Sequence, residues 1–308
     1  MAGGTAREGC TRRPLPRVDT PMPQGHAVCV PETRALPHRT GVLQLDGRPL
    51  LMGVVNVTPD SFSDGGERFA PEDAVAGARQ LAAEGADILD IGAESTRPGH
   101  DHISAEEEWS RLAPVLAGLG RDATLPPISI DTSKAEVARR AIAAGASIVN
   151  DVWGFRRDPD LASVAAGAGA AVVLMHNRDG IDAGVDIVAD IVAVLERSVA
   201  IATAAGIPQD RIVIDPGIGF GKTLEQNYQA VAALPRLKAL GFPVLLGVSR
   251  KSFIGRLFDP QPPPGERLPG TLAANLYGVL SGADILRVHD VAAHVQALRV
   301  LAKIRSAA

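Results

Sequence analysis

From about residue 50 onward, short apolar runs alternate with longer stretches whose apolar residues recur at helical spacing. The first run, Met52-Gly53-Val54-Val55-Asn56, carries no charge and reads as a strand buried on both faces. It breaks into Thr58-Pro59-Asp60-Ser61 and then Gly65-Gly66, which is loop chemistry. The same order returns along the chain. Gly85-Ala86-Asp87-Ile88-Leu89-Asp90 is echoed by Gly145-Ala146-Ser147-Ile148-Val149-Asn150, by Gly169-Ala170-Ala171-Val172-Val173-Leu174 and by Gly282-Ala283-Asp284-Ile285-Leu286-Arg287. In each, a helix stops at a glycine suited to the left-handed terminal conformation, an alanine packs closely, and an apolar strand follows. Helix starts are equally regular: Pro71 precedes Glu72 and Asp73, while Ser104 with Glu107 and Ser133 with Glu136 have capping-box spacing.

The pattern predicts eight strands near 51–56, 87–91, 127–131, 147–150, 171–175, 211–215, 243–248 and 284–288. Helical stretches follow each of them, the longest at about 184–205. The span from about 50 to 305 approaches the roughly 250 residues of a (β/α)₈ barrel, so the predicted fold is an α/β TIM barrel in one domain, 41–308. A doubly wound open sheet is the alternative, but it needs no eighth strand and usually carries an early glycine fingerprint. Asp46-Gly47, between Val42-Leu45 and Leu50-Leu51, predicts an N-terminal β-hairpin leading into the first barrel strand.

Composition changes this picture only at the start. Residues 1–40 are rich in Arg and Pro, poor in acids and without apolar periodicity. They read as a disordered extension or as the product of a start codon placed too far upstream; the prolines oppose an amphipathic transit peptide. The net charge of −4, with both signs interspersed, provides no basic field for nucleic acid. No apolar run is long enough to predict a bilayer span. The only cysteines, Cys10 and Cys29, lie in the extension, which argues against a disulfide framework and fits a reducing cytoplasm.

Candidate chemistry lies at the carboxyl ends of the predicted strands, where such barrels place their active sites. Those ends are Asn56; Glu94 with Ser95-Thr96-Arg97-Pro98-Gly99; Asp131; and Asn150-Asp151. Later ends are Met175-His176; Asp215; Ser249-Arg250-Lys251-Ser252; and Arg287-Val288-His289-Asp290. Each acid or amide there could instead cap the next helix, Asp131 before Thr132-Ser133 most simply, but caps alone do not explain eight polar ends. Pro216-Gly217-Ile218-Gly219-Phe220-Gly221-Lys222-Thr223 ends like a phosphate-binding loop, yet Pro216 occupies the first required glycine. It reads as a turn with close backbone approach. His176 and His289 have no acidic partners at metal-ligand spacing, so a structural zinc site is not expected.

Taken together, Asn56-Val57-Thr58-Pro59-Asp60-Ser61-Phe62-Ser63-Asp64-Gly65-Gly66, the Glu94–Gly99 stretch, Ser129-Ile130-Asp131-Thr132, Asn150-Asp151-Val152, Leu174-Met175-His176, the Asp215–Lys222 stretch, Ser249–Ser252 and Arg287–Asp290 resemble the dihydropteroate synthases. One motif falls on each strand, in order, from about residue 50 to the end. The resemblance implies condensation of (7,8-dihydropterin-6-yl)methyl diphosphate with 4-aminobenzoate, giving 7,8-dihydropteroate and diphosphate in folate biosynthesis. It implies a pterin pocket of Asp131, Asn150, Met175, Asp215, Lys251 and Arg287. It implies a diphosphate cradle of Asn56, Thr96, Arg287 and His289, with Mg²⁺ near Asn56, and a catalytic set of Asn56, Lys251, Arg287 and His289.

The same resemblance implies a 4-aminobenzoate slot of Thr96, Arg97, Pro98, Phe220, Lys251 and Ser252, at which sulfonamides compete in the family. A mobile first loop through Thr58, Pro59 and Asp60, and a homodimer, are further implications. Phe220 could also be ordinary core packing. Asn177-Arg178 follows His176 where many relatives carry Met or Trp, and Pro262-Pro263-Pro264 reads as a loop insertion. Two alternatives remain at this point: a methyltetrahydrofolate-binding methyltransferase domain, and a pterin-binding homologue without turnover. The first should not need the Ser249-Arg250-Lys251-Ser252 anchor or the Thr96-Arg97-Pro98 loop, and intact Asn56, Arg97, Lys251 and His289 argue against the second.

Overall fold

The structure, a computed structural model, describes residues 34–45, 47–57, 70–94, 102–120 and 122–307. The chain opens with a two-stranded antiparallel ribbon, β1 (Ala35–His38) and β2 (Gly41–Gln44). Eight parallel strands follow: β3 (Leu50–Asn56), β4 (Ile88–Gly92), β5 (Ile128–Asp131), β6 (Ile148–Asp151), β7 (Ala171–Met175), β8 (Ile212–Asp215), β9 (Leu245–Leu246) and β10 (Ile285–Val288). Their spatial order is β8-β7-β6-β5-β4-β3-β10-β9, and a parallel bridge from Ile214 to Val244 joins the two ends into a barrel. The predicted (β/α)₈ architecture is therefore present. Strand β9 is shorter than the predicted 243–248 at both ends; at its start Pro243 has no N–H to give the ladder, though its carbonyl still accepts from Ile214 at 2.9 Å.

Ten helices are found among the described residues: α1 (Pro71–Glu84), α2 (Ala105–Leu119), α3 (Ala135–Ala143), α4 (Leu161–Ala168), α5 (Ile187–Ala204), α6 (Leu224–Ala232), α7 (Leu234–Lys238), α8 (Ser252–Gly255), α9 (Leu268–Leu280) and α10 (Val291–Arg305). The glycines that were expected to end helices adopt positive φ, at +105° for Gly85, +123° for Gly145, +66° for Gly169 and +101° for Gly282. Ser104 caps α2 by accepting from Glu107 N. The Ser133–Glu136 box does not form. Helix α3 starts one residue later, with Lys134 at the cap position, and Asp158 Oδ2, from the β6–α4 connection, accepts from Ala135 N at 2.7 Å instead. A capping box that the sequence reading missed joins Thr223 to Gln226 at the start of α6.

The hairpin also corrects an expectation. Its turn is at Arg39-Thr40, and β2 pairs with Ala35–His38 rather than with the first barrel strand. The folded part therefore begins upstream of residue 41; most of the stretch expected to be disordered lies outside the described residues. The physical reason is Leu36, 1% exposed, which joins Leu45, Leu50, Met52, Ile88, Ile148, Val213 and Ile285 in the cluster that floors the barrel. The alternate residues of the same strands, among them Leu51, Leu89, Ile91, Val149, Ile214 and Leu286, pack outward against the helices. Alternation with a period of two thus separates an inner stack from an outer shell.

Leu36→Ala should open a cavity at the floor and cost about 2–5 kcal/mol in urea unfolding. Turnover per folded molecule should stay at the wild-type level, because the floor lies at the opposite end of the barrel from the strand tips.

Candidate functional site

One pleat above the apolar floor the inward positions become polar. Ile88 is followed two residues on by Asp90, Ile148 by Asn150, Val213 by Asp215 and Ile285 by Arg287. Arg287 reaches across the barrel: its Nε donates to Asp90 Oδ2 at 2.6 Å, and its Nη2 to Asp131 Oδ2 at 2.8 Å. Asn150 Nδ2 donates to the same Asp90 oxygen at 3.1 Å. Four strands are therefore linked, β4 and β5 directly to the guanidinium from β10, and β6 through the shared Asp90 oxygen.

Opposite this network, Asp215 Oδ1 accepts from Gly217 N at 2.7 Å. A side chain on Gly247 would stand 3.8 Å from Lys251 Nζ, 3.9 Å from Asp215 Oδ2 and 3.8 Å from Arg287 Cβ. The three groups surround a bare stretch of backbone. Lys251 donates to the carbonyl of Ile218, and its ammonium lies 4.8 Å from the centre of the Phe220 ring. Phe220 is half-buried beside the lysine rather than packed in the core, and Met175 is buried at the tip of β7. His289 Nδ1 lies 2.9 Å from Ser249 Oγ, and the Arg250 guanidinium forms a two-pronged pair with Asp290. These contacts tie the turn after β9 to the turn after β10. Asn56 is exposed at the tip of β3, and Ser252 opens the four-residue helix α8.

Charge is perturbed throughout this ring. Burial pushes the Asp215 carboxyl up, against the pull of Lys251, and it pushes the Lys251 ammonium down to about 8, against Asp215. Asp131 is also raised by burial, despite Arg287, with Asp90 adding repulsion. Burial disfavours the Arg287 cation, but Asp90 and Asp131 outweigh it and hold its proton more firmly than usual.

Of the residues expected at the site, Asp131, Asn150, Met175, Asp215, Phe220, Lys251, Arg287 and His289 gather along this rim, with Asn56 and Ser252 on strand and helix ends beside it. Thr58, Pro59, Asp60, Thr96, Arg97 and Pro98 lie outside the described residues.

Two strand-end residues turn away. Asp151 faces outward, as Val149 does, and binds the amides of Trp153 and Phe155 at 2.9 and 2.6 Å; burial lifts its carboxyl to about 6. His176 is fully buried, with Nε2 at 3.0 Å from Asp190 and Nδ1 at 2.8 Å from Lys222 Nζ. The carboxylate only accepts, so Nε2 carries the proton and Nδ1 faces the amine. Lys222 also donates to the carbonyls of Gly217 and Phe220 at 2.7 and 3.1 Å. It pins the loop that the sequence read as a close-approach turn. Gly217, at φ +65°, leaves no room for a side chain, since a Cβ would stand 1.8 Å from the His176 carbonyl. Asp90 is the residue at the centre that reading strand ends missed. Its signal was a lone carboxylate inside the apolar run Ile88-Leu89-Asp90-Ile91.

Residues 52–289 match the family model described as pterin binding enzyme. The chain is 46% identical over 254 residues to a dihydropteroate synthase of Clostridium beijerinckii, covering 82% of this chain and 93% of the relative. It belongs to the dihydropteroate synthase family. Solved structures of family members superpose closely. A Xanthomonas albilineans synthase with 4-aminobenzoic acid gives a TM-score of 0.84 at 47% identity, covering 89% of this chain and 99% of that one. The same species' synthase in complex with 7,8-dihydropteroate gives 0.80 at 45% identity, covering 88% and 98%.

The buried histidine of this synthase-family barrel makes a stability prediction. Burial and the adjacent Lys222 push His176 down to about 4, against Asp190. In the unfolded chain it takes a proton below its ordinary value of about 6.5. Between those values the unfolded state holds more protons, so stability is lost as pH falls. In urea titrations, acidification from pH 7 to pH 5 should destabilise His176→Asn by about 1–2 kcal/mol less than wild type. Equal losses would contradict the neutral, buried assignment.

Proposed function

We propose that the rim is the active site of a dihydropteroate synthase, which joins (7,8-dihydropterin-6-yl)methyl diphosphate to 4-aminobenzoate and releases 7,8-dihydropteroate and diphosphate. The observation that carries this reading is the convergence of Asp131, Asn150, Asp215 and Arg287 from separate strands, and of Lys251 from the turn after β9, onto one rim. It is joined to the family's relative that holds 7,8-dihydropteroate. A flat heterocycle with N–H groups on one edge and acceptors on the other suits carboxylates facing a cation across bare backbone. Asp215, Asp131 and Asn150 would read its edge, Lys251 its acceptors, and the Arg287 plane one face. Met175 supplies a soft apolar contact.

Diphosphate departure breaks the methylene C–O bond, and the electron pair leaves with oxygen. The Arg287 cation, which stays protonated at any working pH, and His289 from the turn just after β10 would meet that charge. The pterin methylene cation left behind faces the carboxylates of Asp131 and Asp215. The neutral arylamine nitrogen then donates its pair to form the C–N bond and loses a proton to solvent. No residue is needed as a dedicated base. Phe220, Lys251 and Ser252 would line the arylamine slot together with Thr96, Arg97 and Pro98, with the Thr58-Pro59-Asp60 loop over it.

Asn56 fits Mg²⁺ as a supplementary ligand. Its exposed carboxamide makes no hydrogen bond among the described residues, and such an ion needs few protein oxygens beside phosphates and water. When bound, the ion would neutralise diphosphate charge. Among the described residues no three acidic, His or Cys side chains form a metal cluster, which is consistent with a site built mainly from substrate. Exposed Tyr277 and Leu280 on α9, and Val300 and Ile304 on the adjoining α10, support pairing of two copies as a homodimer. No helix of the described residues is long and apolar enough to cross a membrane. The reducing-compartment reading of the two cysteines supports a cytoplasmic site of action.

Purified protein given the dihydropterin diphosphate, labelled 4-aminobenzoate and Mg²⁺ should form labelled dihydropteroate. Pterin binding without product would leave the inactive-homologue reading. Gly247→Ala tests the pocket, since the methyl meets only ordinary contacts at 3.8–3.9 Å yet fills space between Lys251, Asp215 and Arg287. Its melting temperature should be unchanged, while pterin affinity falls at least about tenfold, roughly 1.4 kcal/mol.

A further inference from the structure

Strand β4 carries a single charge in a run that is otherwise apolar and completely buried. Asp90 has 0% exposure, and its two oxygens are used unequally. Oδ2 accepts from both Arg287 Nε and Asn150 Nδ2, while Oδ1 has no hydrogen-bond partner among the described residues. A carboxylate in such surroundings must be paired, and here it is paired with two groups of the rim. The consequences for the two differ.

Arg287 is gripped twice, through Nε by Asp90 and through Nη2 by Asp131, and two bonds on one planar fork fix both its position and its plane. Nη1 makes no hydrogen bond among the described residues and remains available to a ligand. For Asn150, the partner decides which way the amide points. An ionised carboxylate can only accept, so the NH₂ group must face Asp90 and the carbonyl oxygen must be on the other side. Asp90 thereby makes Asn150 a hydrogen-bond acceptor toward the pocket.

We propose that Asp90 is a positioning residue for the pterin pocket: it sets the Arg287 plane and the Asn150 amide orientation through one shared oxygen. The inference rests on the rim being the pterin site. Its scope is narrow: Asp90 acts on the heterocycle and on diphosphate departure through these two side chains, and it leaves the arylamine slot alone.

The test is a double-mutant cycle on the full-length protein, with 7,8-dihydropteroate binding by calorimetry, steady-state kinetics and thermal unfolding measured on every variant. Asp90→Asn should weaken dihydropteroate binding about tenfold and lower kcat, with KM for 4-aminobenzoate within twofold of wild type. Placed in an Arg287→Gln background, Asp90→Asn should have less than a twofold further effect on kcat. Multiplicative losses in the double variant, or wild-type binding with only a lowered melting temperature, would overturn the proposal and leave Asp90 a structural partner.

A second arm stands even if Asp90→Asn alone folds poorly. Asn150→Asp sets two carboxylates against each other and should weaken binding. Combining it with Asp90→Asn exchanges acid and amide, and should recover at least tenfold of that loss; no recovery would overturn the proposal. Asp215→Ala serves as the control for the site itself. If wild type binds no dihydropteroate, or Asp215→Ala binds it unchanged, the site reading fails and the proposal with it. If both behave as expected, any failure belongs to Asp90 alone.

Discussion

A guanidinium largely withdrawn from water at the mouth of a barrel needs negative charge around it, and much of the rim follows from that requirement. Arg287 emerges from β10 and is met by Asp90 of β4 and Asp131 of β5, while Asn150 of β6 closes on the same oxygen. Removing one member of such a group leaves its partner charged and unsolvated, a loss of about 3–5 kcal/mol. The arrangement is therefore locked before any ligand arrives. In the proposed reaction that rigidity would serve catalysis, since donors held in place need no reorganisation when charge develops on a leaving group.

The lock is possible because of strand periodicity. Side chains alternate between the inner stack and the outer shell, so a change from apolar to polar one pleat above the floor puts unlike strands into register. Ile88 and Asp90, Val213 and Asp215, Ile285 and Arg287 are each one such step. Below the step the hairpin and Leu36 exclude water; above it lie charged groups and bare glycine backbone. Stability and chemistry are thus divided along the barrel axis, which lets the loops at the rim be polar without weakening the core.

Much of this was legible in the chain itself. The eight strands, the glycine helix ends and the polar strand tips are local patterns, and local patterns survive into the fold. What was not legible depended on partners far away in sequence. Asp90 sits two residues before the end of its strand, so a reading confined to strand tips passed over it. Its role appears only when Arg287, 197 residues later, is placed beside it. Asp151 and His176 have the right neighbours in sequence, but strand parity and a buried lysine turn them elsewhere. The hairpin turn was misplaced for a similar reason. Asp46-Gly47 is a good local signal, yet burying Leu36 in the floor favours pairing with the strand upstream.

In the proposed reading a preorganised Asp90–Arg287–Asp131 network frames a pterin pocket at the strand tips. The most direct measurement is a crystal structure of this protein with 7,8-dihydropteroate bound. The pterin ring should lie between Asp215, Asn150 and Lys251, with Arg287 against its face and still bonded to Asp90 and Asp131. A ring bound elsewhere, or an Arg287 that has left both carboxylates, would contradict it.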